Sequence, residues 1–191
     1  MLLKWLPLVT GNQRNGIVRA LGQPWARATT LDPLIAEFQH GPVPGDVGQQ
    51  TYRWEVADAV RITYLDTRFD QVAALAQDRR YGYTRDPLLV ALGGSKRPEA
   101  VDVLLSQLDC DDVSTQVIEA LGRLGDERAR PVLEGVASGD GPGWKRQAAK
   151  RALAKMTAKQ TRAEAKAKAS PSPLPAPKPP RRRRWRGSRQ A

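Results

Sequence analysis

The sequence predicts an all-α protein: an α-solenoid, or superhelix, of about four to five stacked helical hairpins followed by a basic, largely disordered C-terminal tail. Three observations predict it. The triplet Ala-Leu-Gly recurs at Ala91-Leu92-Gly93 and Ala120-Leu121-Gly122, 29 residues apart. The register persists around the triplet, with Ala100 on Ala129, Val103 on Val132 and Leu104 on Leu133. A further step of 32 residues carries Val117, Ala120 and Leu121 onto Ala149, Ala152 and Leu153. Finally, the chain is rich in alanine and has only 6% aromatic residues, which suits helices packed closely on helices. A period near thirty carried by small and branched apolar residues marks a repeat architecture.

Residues 1–50 read as a divergent N-terminal helical cap. Leu2 to Val9 is apolar but short, interrupted by Lys4 and Pro7, and runs into the polar stretch Gly11 to Asn15. Without a small-residue cleavage site it reads as a buried first segment rather than a leader. Another Ala-Leu-Gly lies at Ala20-Leu21-Gly22, and Asp32-Pro33-Leu34-Ile35 reads as a capped helix start with proline at its first position. Gly41 to Gly48 reads as a loop. Residues 51–156 read as the repeat solenoid. Trp54, Val56, Ala59, Val60 and Tyr64 are expected to face inward from one helix, and Phe69, Val72, Ala73 and Ala76 from its partner. Ser95 and Pro98 open a helix whose face is Ala100, Val101, Leu104, Leu105 and Leu108. Val113, Val117, Ala120, Leu121 and Leu124 then fall at i, i+4, i+7, i+8 and i+11, one helical face. Asp111 or Asp112 is expected to cap that helix, and Gly125 to close it in the left-handed conformation. Asp126 opens the next, whose face is Ala129, Val132, Leu133 and Val136. Gly139 to Gly143 ends the unit, and Ala148, Ala149, Ala152, Leu153 and Met156 cap the stack.

The segment Ala120 to Leu133, Ala-Leu-Gly-x-Leu-Gly-Asp-x-x-Ala-x-x-x-Leu, resembles the short HEAT-like repeats of phycobilisome lyases and many bacterial HEAT-repeat proteins. The resemblance is clear from Thr84 to Met156. In the preceding unit Arg97 stands where Asp126 would fall, so the cap there must come from Ser95. The resemblance implies a curved stack that presents one row of helices as an extended protein-binding surface. It also brings two enzyme families into view. Nothing in the chain marks the chromophore site of a phycobilin lyase. For the HEAT-like alkylpurine DNA glycosylases, Trp25, Trp54 and Asp58 are the residues to consider around a damaged base.

Charge divides the chain. Residues 1–140 carry 15 Lys/Arg against 19 Asp/Glu, whereas residues 141–191 carry 16 against one, Glu164. The acidic body lacks the basic surface that gripping DNA requires. Residues 157–191 read as a basic tail, partly helical to about residue 169 and then disordered. Arg151, Lys155, Lys159, Arg162 and Lys166 form one helical stripe about 22 Å long. After the proline-rich spacer Ser170 to Pro180 come Arg181, Arg182, Arg183, Arg184, Trp185, Arg186 and Arg189. Arginines supply bidentate phosphate contacts and tryptophan can stack on an unpaired base. RNA or DNA is the first expected polyanion; an acidic protein or an anionic membrane is the second.

Catalysis has little to stand on. The one histidine, His40, adjoins a Gly-Pro loop, and the one cysteine, Cys110, sits among Asp109, Asp111 and Asp112 in an inter-repeat turn. No spacing suits a metal, a cofactor or a phosphate-cradling loop, so no catalytic, cofactor-binding or metal-binding residue is assigned. No apolar run approaches the roughly 18 residues of a membrane span. The expected protein is a cytoplasmic, non-enzymatic adaptor. Its solenoid would bind a protein through helix-face residues such as Glu99, Asp102, Arg130 and Glu134, and its cationic end would bind a polyanion. A nucleic-acid enzyme on the same solenoid is the competing class.

Overall fold

The structure, a computed structural model, describes residues 2–40, 47–111 and 113–169. Those residues form helices and turns with no strand. Nine α-helices follow one another: α1 (Gly11–Leu21), α2 (Arg27–His40), α3 (Val47–Thr63), α4 (Phe69–Gln77), α5 (Asp86–Leu92), α6 (Ala100–Leu105), α7 (Ser114–Leu124), α8 (Arg130–Ser138) and α9 (Gly143–Ala169). The odd-numbered helices form one row, each packed on the next. In the second row α2 packs on α4 and α4 on α6, and α6 meets the turn that leads into α8. The result is four hairpins plus α9, the first half of a fifth.

The repeated triplet has a mechanical cause. Its leucine faces the core, where Leu21, Leu92 and Leu121 are all buried. Its glycine admits the next helix of the row. A Cβ on Gly93 would lie 2.7 Å from the Ala120 Cα, and one on Gly122 would lie 2.7 Å from the Ala152 Cα. Gly22 repeats the contact, its would-be Cβ 2.8 Å from that of Ala59. No side chain fits at these three crossings, so the glycines set how closely the row is spaced.

The α3–α5 junction is built otherwise. Arg61 occupies the triplet's glycine register. A 3-10 segment, Arg79–Arg85, is inserted before α5 and bends at Gly82, whose φ is +51°. Arg85 is fully buried at its end. Its Nη1 donates to the Ala76 carbonyl at 3.1 Å and to Gln107 Oε1 at 2.5 Å, and its Nε to the Gly82 carbonyl at 3.2 Å. Arg53, also buried, lies over the rings of Phe38 and Tyr81 at 5.5 and 4.9 Å. Upstream, Arg14 and the Tyr52 hydroxyl both donate to Glu37, tying α1, α2 and α3 together.

The turns follow one rule. Gly125 takes the left-handed conformation at φ +69°, and Asp126 accepts from the Arg128 N–H at 3.0 Å. Ser95 Oγ accepts likewise from the Arg97 N–H at 3.1 Å. Asp66 completes that cap, accepting from Ser95 Oγ at 2.6 Å and from the Lys96 N–H at 3.0 Å. The arginines two residues after Asp66, Ser95 and Asp126 reach back one unit. Arg68 pairs with Asp32 and Arg128 with Asp102 at 3.1 Å, while Arg97 approaches Asp70 at 4.0 Å.

Several expectations require correction. Asp32 and Pro33 lie inside α2, not at its start. The helix begins earlier, after the turn Pro24–Ala26, and Thr29, whose carbonyl Pro33 cannot use, is exposed. Val113 sits at the N-cap of α7 with no side-chain cap, and Asp111 is instead 3.9 Å from Lys145. Asp112 and residues 41–46 lie outside the described residues. Trp54 and Val132, placed on inward faces, are 40% and 39% exposed. Leu2 to Val9 is not a buried segment, since only Leu6 within it is buried. The boundaries at 50/51 and 156/157 fall within α3 and α9, which run through them. Docking of α9 outlasts its apolar face. Lys159 Nζ donates to the Arg123 and Leu124 carbonyls at the end of α7, at 3.2 and 2.5 Å. Gln160 bridges Glu127 and Arg130 at 2.6 and 3.0 Å.

Candidate interaction surfaces

Because α9 continues the odd row, it brings its basic stripe against α7. Arg151, Lys155, Lys159, Arg162 and Lys166 are all exposed. Between the two helices runs a groove of about 410 Å³ lined by Gly122, Arg123, Lys155, Ala158, Lys159 and Arg162. Four of those six residues are cationic. The stripe is not uniform, however. Lys159 is committed to the carbonyl end of α7, where a cation also complements the helix dipole. Arg123 donates to the Val90 carbonyl at 3.1 Å yet keeps its charge in the groove. Sequence reasoning missed Arg123, although it follows the repeated triplet directly and falls one period before Lys155. Residues 170–191, including Arg181, Arg182, Arg183, Arg184, Trp185, Arg186 and Arg189, lie outside the described residues.

The four helix-face residues proposed for protein binding are mostly occupied within the stack. Glu99 pairs with Arg97 at 3.0 Å, Asp102 with Arg128 at 3.1 Å, and Arg130 with Glu127 at 2.6 Å. The Arg97 guanidinium holds the Glu99 carboxyl below its ordinary range, and Arg128 does the same to Asp126. Glu134 is exposed. These pairs are solvent-accessible and individually weak, so a partner's charges can exchange with them at small cost.

A second groove, about 370 Å³, lies at the opposite end of the same row, between α1 and α3. Trp54 and Asp58 line it together with Arg19, Gly22, Gln23, Glu55, Ala59 and Ile62. Trp25 is not among its lining residues. The acids there are already engaged: Asp58 accepts from Arg61 at 2.7 Å and Glu55 Oε1 from Arg19 at 2.5 Å. This arrangement has no concentration of cations to hold a DNA backbone. His40 is exposed, with Nδ1 2.8 Å from the Ala36 carbonyl, and Cys110 is buried with Sγ 3.7 Å from Gln107 Oε1. Among the described residues no group of three or more His, Cys, Asp or Glu is placed to hold a metal ion. No helix there is long and apolar enough to cross a membrane.

Residues 69–154 match the family model for HEAT repeats. The matched stretch runs from α4 into α9 and includes both glycine-spaced crossings of the C-terminal half. No curated protein and no solved structure matches the chain.

Proposed function

We propose that this chain, a HEAT-repeat protein across residues 69–154, is a non-enzymatic cytoplasmic scaffold with two binding ends. HEAT repeats commonly mediate protein–protein interaction or scaffolding. The solenoid would hold a protein partner, with Glu134 and the exchangeable pairs of Glu99, Asp102 and Arg130 as its polar contacts. The cationic end, α9 with residues 170–191, would hold a polyanion, RNA or DNA first. The observation that carries the second part is the α7–α9 groove, where Arg123, Lys155, Lys159 and Arg162 converge on one surface. Clustered cations release counterions when phosphates replace them, so affinity should fall steeply with salt. A glycosylase-like reading would have to use the α1–α3 groove, where the charges are already paired.

The test is the salt dependence of RNA and DNA binding by the full chain. Replacing Arg181 to Arg184 with alanine should flatten the slope of log affinity against log salt by up to about 3–4 units. An unchanged slope would remove the tail from the proposal. Release of a modified base from DNA by the wild-type chain would replace the scaffold reading with the enzyme.

A further inference from the structure

The N-terminal end of the stack carries an apolar face that the scaffold reading does not use. Leu2–Lys4 and Leu6–Leu8 are 3-10 turns joined at Trp5. The Trp5 N–H donates to the Leu2 carbonyl and the Leu8 N–H to that of Trp5, both at 2.9 Å. In a 3-10 run side chains three apart stand above one another. Leu6 is buried and Leu3 partly so, packed against the core. Leu2, Trp5 and Leu8 form the opposite line, 43%, 56% and 73% exposed.

The sequence that carries this line is one-sided in charge. Residues 1–31 contain Lys4, Arg14, Arg19 and Arg27 and no Asp or Glu; the first acid is Asp32. Arg14 and Arg19 are paired with Glu37 and Glu55, while Lys4 and Arg27 are exposed. Trp25, in the same stretch, is 83% exposed. Exposed leucine and tryptophan in a segment that carries Lys4 and Arg27 and no acid of its own is the chemistry of a lipid-water interface. The apolar side chains enter the headgroup region, and the cations meet anionic lipid.

We propose that Leu2, Trp5 and Leu8 form a peripheral docking surface for an anionic lipid bilayer. A single apolar element binds membranes only marginally, and a second, electrostatic signal makes the attachment stable. Residues 170–191 carry seven of the chain's cations, which could supply that second signal. The insertion itself rests on the N-terminal residues and stands whether or not the tail binds nucleic acid.

The experiment uses the full chain and vesicles of phosphatidylcholine with or without about one-third phosphatidylglycerol, read by flotation and by sedimentation velocity without lipid. The wild type should float with the anionic vesicles. Trp5→Ser combined with Leu8→Ser should weaken partitioning at least about tenfold, with RNA affinity and melting temperature unchanged. Unchanged flotation of that variant would overturn the proposal. So would a lipid-free wild type that self-associates through this face and becomes monomeric in the variant, because the occupant would then be a second copy. Loss of RNA binding on replacing Arg181 to Arg184, with Trp5-dependent flotation retained, would separate the two readings.

Discussion

The α3–α5 junction and the two junctions that follow it solve the same packing problem in different ways. At α5–α7 and α7–α9 a glycine backs onto an alanine and two helices meet with nothing larger than a methyl group between them. At α3–α5 the glycine register holds Arg61, and the stack is completed by the inserted turn Arg79–Arg85 with its buried arginine. The first solution is dispersion and shape; the second is a set of hydrogen bonds that must all be made. They should therefore fail differently.

The largest effect is expected at Arg85. Arg85→Ala removes the donor to two main-chain carbonyls and to Gln107, and leaves a cavity. It should lower stability by about 3–5 kcal/mol in urea denaturation. A loss below about 1 kcal/mol would mean that the junction does not depend on it. At the glycine crossings, Gly93→Ala and Gly122→Ala each place a Cβ against backbone that cannot step aside, and should cost about 1–3 kcal/mol. Gly16→Ala, also in a helix but with nothing within 4 Å, should instead stabilise by about 0.5–1 kcal/mol. Equal effects at the three positions would contradict a crossing-specific role.

This contrast also explains what the sequence made legible. A crossing with nothing larger than a methyl group leaves glycine and alanine as the tolerated residues, so Gly93 and Gly122 recur with their surroundings and the hairpins from α5 to α9 could be read. A polar plug has many solutions and no period, and nothing in the spacing of Arg53 or Arg85 distinguishes them from surface arginines. The caps fall between these cases. Asp126 was readable from its glycine, whereas Asp66, which completes the cap of the next unit from 29 residues away, has no local signature. The basic groove was half readable: the stripe on α9 follows from helical periodicity, but Arg123 enters only once α9 is packed on α7. Exposure of Leu2, Trp5 and Leu8 was misread because an apolar octapeptide resembles core.

The smallest effect tests the contact that joins the two regimes. Burial works against ionisation of Asp66, but hydrogen bonds from the Ser95 hydroxyl, the Lys96 N–H and the Tyr64 hydroxyl outweigh it and hold the carboxyl below its ordinary range. A carboxyl depressed on folding stabilises fully above its unfolded pKa of about 4, and loses that contribution as pH falls through its folded value. Wild type should therefore melt above Asp66→Asn at pH 7, and the gap should close on acidification below about pH 4. A gap independent of pH would show that the carboxylate charge is irrelevant to the cap.

The long α9 gives the stack a mechanical polarity. It is the last described helix, gripped by α7 and α8, and the arginine-rich segment follows it in sequence. Its 27 residues extend about 40 Å, and its contacts with the stack are spread along the axis from Ala148 to Gln160. Tension on the tail directed along that axis loads those contacts in parallel, as shear, instead of unzipping them one by one. If a polyanion binds at the cationic end as proposed, it would be coupled to the body through a lap joint.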